Sequence, residues 1–87
     1  MVRINRTKLA VEDLKSIAEY SARDSKKYAR MQIKRITARI SILKQNPDAG
    51  KVVPDVNEKN VRELVEGNTR SFMIITPLQI DILTVHH

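Results

Sequence analysis

Arg62, Arg70, His86 and His87 are the side chains of this sequence whose types suit phosphate chemistry. A guanidinium can clamp a phosphate or a carboxylate through two parallel hydrogen bonds. Histidine exchanges protons near neutral pH, as cleavage of RNA through its 2′-hydroxyl requires. As a catalytic set the four are weak. The histidines adjoin, strand alternation sends them to opposite faces, and the pattern places no second acid–base group beside them. Structural roles compete: Arg70 can pair with Glu66 across a turn, and Arg62 with Asp55 or Glu58. Cysteine is absent and the two histidines are adjacent, so no metal-ligand spacing exists and neither metal nor cofactor is expected. With two glycines and scattered acids, no phosphate loop, nucleophile elbow or paired-carboxylate site can be drawn.

A second constellation is basic. Lys26, Lys27, Arg30, Lys34, Arg35, Arg39 and Lys44 follow one another with no acid between Ser25 and Asn46. Like charges four residues apart on a helix repel by a few tenths of a kcal/mol each, so helix stability does not explain the run. An acidic partner does; the blander alternative is a solvated face. The net charge of +6, from sixteen basic and ten acidic residues, points the same way. It favours nucleic acid, a nucleic-acid machine or an acidic protein segment. Tyr20, Tyr28 and Phe72 are the only aromatic residues, too few for a binder that stacks single-stranded bases.

The elements that must position these residues follow from periodicity. Val2 and Ile4 alternate with Arg3 and Asn5 as in a short edge strand. From Lys8 the spacing turns helical through Ala10, Leu14, Ile17, Ala18 and Ser21, with Thr7 as N-cap. Glu12 with Lys15, and Glu19 with Arg23, are acid-before-base pairs at helical distance. The stretch 22–25 breaks the helix, and Asp24 or Ser25 caps the next. Ala29, Ile33, Ile36, Ile40 and Leu43 draw one apolar stripe along a second helix of about six turns, which Asn46-Pro47 ends. Two such helices on a short link form an antiparallel hairpin.

After a loop over 48–60 the period drops to two. Residues 61–66, 70–76 and 79–86 read as three strands joined by tight turns at Gly67-Asn68 and Pro77-Leu78. A three-residue loop, Gly67-Asn68-Thr69, sets Leu64 opposite Phe72 and Glu66 opposite Arg70; a two-residue loop sets Leu64 against Ser71 and breaks the apolar column, so the longer loop is expected. One face then carries Leu64, Phe72, Ile74, Leu83 and Val85, the other Val65, Met73, Ile75, Ile80 and Ile82. Helices can cover only one of them. The second, with Met73, Ile75 and Ile82, is expected to receive a protein, unless the loop over 48–60 folds across it. The resulting fold class is α+β, a helical hairpin on one face of a small antiparallel sheet with the N-terminal strand at an edge.

Eighty-seven residues make one domain, 1–87, with a thin stability margin. Disulfides and metals being excluded, a protein partner is the support that remains. No signal peptide or membrane span is legible, which makes the cytoplasm the expected compartment and a membrane partner unexpected.

The order of elements, the stretch Asn46-Pro47-Asp48-Ala49-Gly50, the run from Val61 to Arg70 and the terminal run Ile80-Asp81-Ile82-Leu83-Thr84-Val85-His86-His87 together resemble the ParE-type toxins of the RelE/ParE superfamily. The likeness covers nearly the whole chain. One departure is Thr69, where the family's turn usually carries an aromatic. The resemblance implies a toxin of a type II toxin–antitoxin system that inhibits DNA gyrase without doing chemistry itself. It further implies a cognate antitoxin, whose tail folds into the groove between hairpin and sheet, with DNA contacted only through that antitoxin. The other branch of the superfamily implies a RelE-like ribosome-dependent mRNA endonuclease, and an inactive antitoxin-binding relative is a third possibility. On these readings Arg62, Arg70, Met73, Ile75, Ile82, Arg30, Lys34, Arg35 and Arg39 are the candidate partner contacts.

Overall fold

The computed structural model describes residues 2–56 and 58–87. Strand β1 (Arg3–Arg6) leads into helices α1 (Lys8–Ala22) and α2 (Lys26–Ser41). A 3-10 turn over Ile42–Lys44, a second over Pro47–Ala49 and a short strand β2 (Lys51–Val52) follow, then β3 (Val61–Glu66), β4 (Thr69–Ile75) and β5 (Gln79–His86). The helix starts are local chemistry. Thr7 accepts from the Ala10 amide, and Ser25 from the Tyr28 amide, each satisfying a first-turn N–H that has no intrahelical partner. Ser25 is therefore the cap, not Asp24. Helix α2 is shorter than its apolar stripe implied, because its last turn tightens to 3-10 before Pro47.

The five strands run β1-β5-β4-β3-β2. β1 lies parallel to β5, with Ile4 opposite Ile80, so the sheet is mixed where an antiparallel one was expected; every other pairing is antiparallel. β2 within the 48–60 loop had no signature in the sequence, being only two residues long.

The hairpin register corrects an expectation. Leu64 pairs with Ser71 and Glu66 with Thr69, which leaves a two-residue turn of Gly67 and Asn68. Gly67 takes φ of 60°, and no residue other than glycine has positive φ among those described. Glycine first, with a negative-φ residue after it, is the type II′ arrangement, whose twist suits a two-residue hairpin. Local turn chemistry thus overrides the apolar column. A slip of one residue exchanges the faces of β4: Met73 points to the helices, and Phe72 joins Arg70 on the opposite side.

A bulge makes the second correction. Phe72 pairs with Thr84 but Met73 with Ile82, so Leu83 is an extra residue in β5. Ile80 and Ile82 face the helices before the bulge, and Val85 faces them after it, all three buried. Together with Leu64 and Met73 they pack against Ala10, Leu14 and Ile17 of α1 and Ile36, Ile40 and Leu43 at the end of the hairpin. Met73 is 0% and Ile82 1% exposed, and Ile75 is packed against the same cluster. These three residues therefore belong to the core beneath the helices and offer no partner surface. The outer face carries Val61, Val65, Phe72 and Ile74, none of them buried, so one apolar sheet face is left open, though not the one expected.

Beyond the reach of β1, the free edge of β5 is closed by α1. Asp13 Oδ2 accepts from Thr84 Oγ1 at 2.6 Å and from the Val85 amide at 2.9 Å. Asp13→Ala leaves that edge amide without its acceptor, and we expect a loss of about 1–3 kcal/mol of stability in denaturant melts. Asp13→Asn, which keeps an acceptor oxygen, is expected to recover part of it. Equal stability of Asp13→Ala and wild type would show the edge to be satisfied by water alone.

Candidate partner interface and sheet-face cluster

Helix α2 sorts its cations onto two flanks. The buried set Ala29, Gln32, Ile36 and Ile40 defines the inward side. Ile33 lies half-buried beside it and Gln32 takes the position toward the sheet, which the stripe drawn from apolar residues alone passed over. Positions 26, 30 and 34 step by four along the flank nearest α1, and positions 35 and 39 along the flank nearest the sheet. The basic run is thus two rows, separated by the exposed Met31 and Ala38.

The first row borders an apolar groove between the two helices, with a volume of about 560 Å³. Ala18, Ala22, Ala29 and Ile33 line it, with Glu19, Lys26, Arg30 and Lys34 around them. Alanines at 18 and 22 fall one helical turn apart, so α1 offers backbone and methyl groups where longer side chains would fill the space. An amphipathic helix with acidic flanks is the chemistry such a groove accepts. Arg30 and Lys34 were expected at a partner surface from charge alone; the alanine floor was legible as spacing but not as a groove, because it needs the second helix to close it. Arg35 lies elsewhere, lining a small pocket with Tyr28, Gln32, Thr69 and His87. Arg39 is half-buried on that same flank.

The candidate catalytic residues divide. Arg62 donates from Nε to the Lys59 carbonyl at 2.7 Å and from Nη1 to the Gly50 carbonyl at 2.9 Å. It ties the 48–60 loop to β3 and pairs with neither Asp55 nor Glu58. Gly50 suits that tie, since a Cβ there would stand 3.1 Å from Arg62 Cβ. Arg70 pairs with Glu63, not with Glu66 across the turn, because the two-residue register sets Glu66 opposite Thr69. Its guanidinium also lies 5.6 Å from the centre of the Phe72 ring. Among the described residues this is the one ion pair; the expected Glu12–Lys15 and Glu19–Arg23 pairs do not form, and Arg23 lies over Tyr20 instead.

His86 is the strand partner of Arg70 and meets Phe72 edge to face at 5.6 Å. His87 turns to the helical side, 6.4 Å from the Tyr20 ring. Glu63, Arg70, Phe72 and His86 therefore form one cluster on the outer sheet face, and Arg62 and His87 are not part of it. Sequence reasoning named Arg70 and His86 but missed Glu63 and Phe72, because the three-residue turn set Glu63 on the face away from Phe72 and strict alternation, without the bulge, did the same to His86. Among the described residues no group of acids and histidines could hold a metal ion, and no helix is long and apolar enough to cross a membrane.

The chain matches the family model described as ParE toxin of type II toxin-antitoxin system, parDE, over residues 4–87. No curated protein matches it. Among solved structures, the chromosomal ParDE toxin–antitoxin system from P. aeruginosa superposes with a TM-score of 0.81 at 21% identity, covering 100% of this chain and 96% of that one. The YoeB dimer from Staphylococcus aureus superposes with a TM-score of 0.63 at 17% identity, covering 99% and 95%. These likenesses carry the two-helix, five-stranded α+β architecture, and the match along residues 4–87 carries the family: the chain belongs to the ParE toxins of type II toxin–antitoxin systems.

Proposed function

We propose that this chain is a binding toxin that inhibits DNA gyrase in the cytoplasm and is neutralised by a cognate antitoxin seated in the hairpin groove. The observation that carries the antitoxin part is the apolar floor of Ala18, Ala22, Ala29 and Ile33 bordered by Lys26, Arg30 and Lys34. An antitoxin helix with an apolar stripe and acidic flanks satisfies both features at once, and DNA is reached only through that antitoxin. A toxin that acts by binding is supported by the state of its arginines, since Arg62 is held by two carbonyls and Arg70 by Glu63. Neither is free to meet a phosphate beside both histidines.

The test is a supercoiling assay. The protein is expected to inhibit gyrase, the cognate antitoxin to relieve that inhibition, and a translating ribosome to show no codon-specific mRNA cuts. Such cuts, with unimpaired supercoiling, would overturn the proposal.

One observation favours a second reading. Glu63, Arg70 and His86 bring an acid, a cation and an imidazole together on the outer face, the group types of a RelE-like mRNA endonuclease. On that reading His86→Ala abolishes mRNA cleavage; on the gyrase reading it leaves supercoiling inhibition at the wild-type level.

A further inference from the structure

We propose that the pocket between α2 and the β3–β4 turn receives one carboxylate side chain from the acidic protein that holds this toxin. The pocket is small, about 60 Å³, and is lined by Tyr28, Gln32, Arg35, Glu66, Thr69 and His87 among others. A space of that size suits a single small head group.

Its floor is polar although the surroundings are core. Gln32 is 8% and Thr69 2% exposed, two of three buried polar residues among those described. Gln32 Oε1 accepts from Ser21 Oγ at 2.6 Å, which fixes the amide and leaves the Nε2 hydrogens without an acceptor among the described residues. Thr69 Oγ1 likewise makes no side-chain hydrogen bond among the described residues, although the hydroxyl belongs to one of the most buried side chains of the domain. No fully buried side-chain N or O among the described residues lacks a partner, so these two atoms reach the solvent of the cavity, where an acceptor can enter.

At the mouth, Arg35 forms no ion pair among the described residues, and its fork matches a planar carboxylate. Gln32 and Arg35 together offer N–H donors to an oxygen pair, the pattern a carboxylate accepts. Glu66 decides against phosphate. Glu66 and Arg35 offset each other, so a carboxylate adds one net negative charge to this part-buried site and a phosphate dianion adds two. Arg35, of the second row of cations, thus gains a partner distinct from the hairpin groove, and the antitoxin is gripped on both flanks of α2.

This rests on the reading of the chain as an antitoxin-bound toxin, and two independent measurements keep the failures apart. Acetate titrated into the isolated protein is expected to shift the Gln32 side-chain amide resonances saturably. Phosphate at matched ionic strength is expected to leave them in place. Arg35→Gln, at an exposed position, is expected to weaken acetate binding and antitoxin affinity each by roughly tenfold, the loss of one charge-assisted contact. Gln32→Met, checked by its melting curve and followed through the Thr69 backbone amide, is expected to abolish the acetate response. Shifts that stay linear, or saturation by phosphate or guanosine monophosphate at lower concentration than acetate, would overturn the pocket assignment. So would antitoxin affinity unchanged in both variants. If wild-type protein binds no antitoxin at all, the toxin reading falls, and with it the proposed occupant.

Discussion

Met73→Ala is expected to cost about 2–5 kcal/mol, the range for emptying a fully buried site in a core that relaxes only partly. In a domain of this size that lowers the melting temperature by ~10 °C or more, enough to leave a marginal protein largely unfolded at growth temperature. Val65→Ala, at a position 49% exposed on the outer face, is expected to cost under about 1 kcal/mol. The contrast tests the register directly. With a three-residue turn the two strands' faces exchange partners, and Met73 would be a surface residue whose truncation spares stability and impairs binding. A melting curve within a degree of wild type for Met73→Ala would therefore reinstate that arrangement. Antitoxin binding, measured at a temperature where the variant remains folded, is expected to be unaffected, because Met73 contacts the core alone.

The hairpin and three main strands were legible because each rests on a period repeated over many residues. Thr7 and Ser25 announced the helix starts by side-chain chemistry that acts within four residues. What was not legible depends on single residues or on partners far along the chain. Gly67 alone, by taking positive φ, selects the shorter turn and so reassigns every side chain of β4. Leu83 alone, by bulging, lets Ile82 and Val85 share a face that strict alternation forbids. The parallel pairing of β1 with β5 joins residues some 75 positions apart, with Thr7 donating to the carbonyls of Ile82 and Leu83 to hold it. Nothing local encodes that.

The candidate sites divide along the same line. Charge type located Arg30, Lys34, Arg35 and Arg39, since no fold is needed to see an acid-free helix. Function class by contrast depended on convergence, and convergence depended on the turn. Phe72 faces outward beside Arg70 and the bulge brings His86 to the same face, while the β3–β4 register sets Met73, with its strand partner Ile82, on the face of Leu64 beneath the helices. An error of one residue in a loop thus moved the expected partner surface from the outer sheet face to the core.

Reversing charge on one flank of α2 at a time is expected to separate its two rows of cations. Arg30→Glu with Lys34→Glu places two acids beside the Ala18, Ala22, Ala29 and Ile33 floor. If an acidic antitoxin helix docks there, its association rate at low salt is expected to fall by roughly 10–100-fold, and the salt dependence to become shallower. Dissociation should change less, because the apolar floor remains. Both positions are exposed and form no ion pair among the described residues, so the fold survives; relief of the repulsion from Lys26 adds a few tenths of a kcal/mol at most. Lys27→Glu, an exposed position off the groove, is the control for net charge, since it changes the overall charge by the same two units per residue without facing the floor. An association rate that falls equally per charge in the control and in the double variant would mean that only the net positive field matters, and the groove would lose its claim to the partner. A rate unchanged in both would remove the acidic flank from the partner altogether. A loss confined to the double variant, with the melting temperature held, fixes the antitoxin helix between α1 and α2.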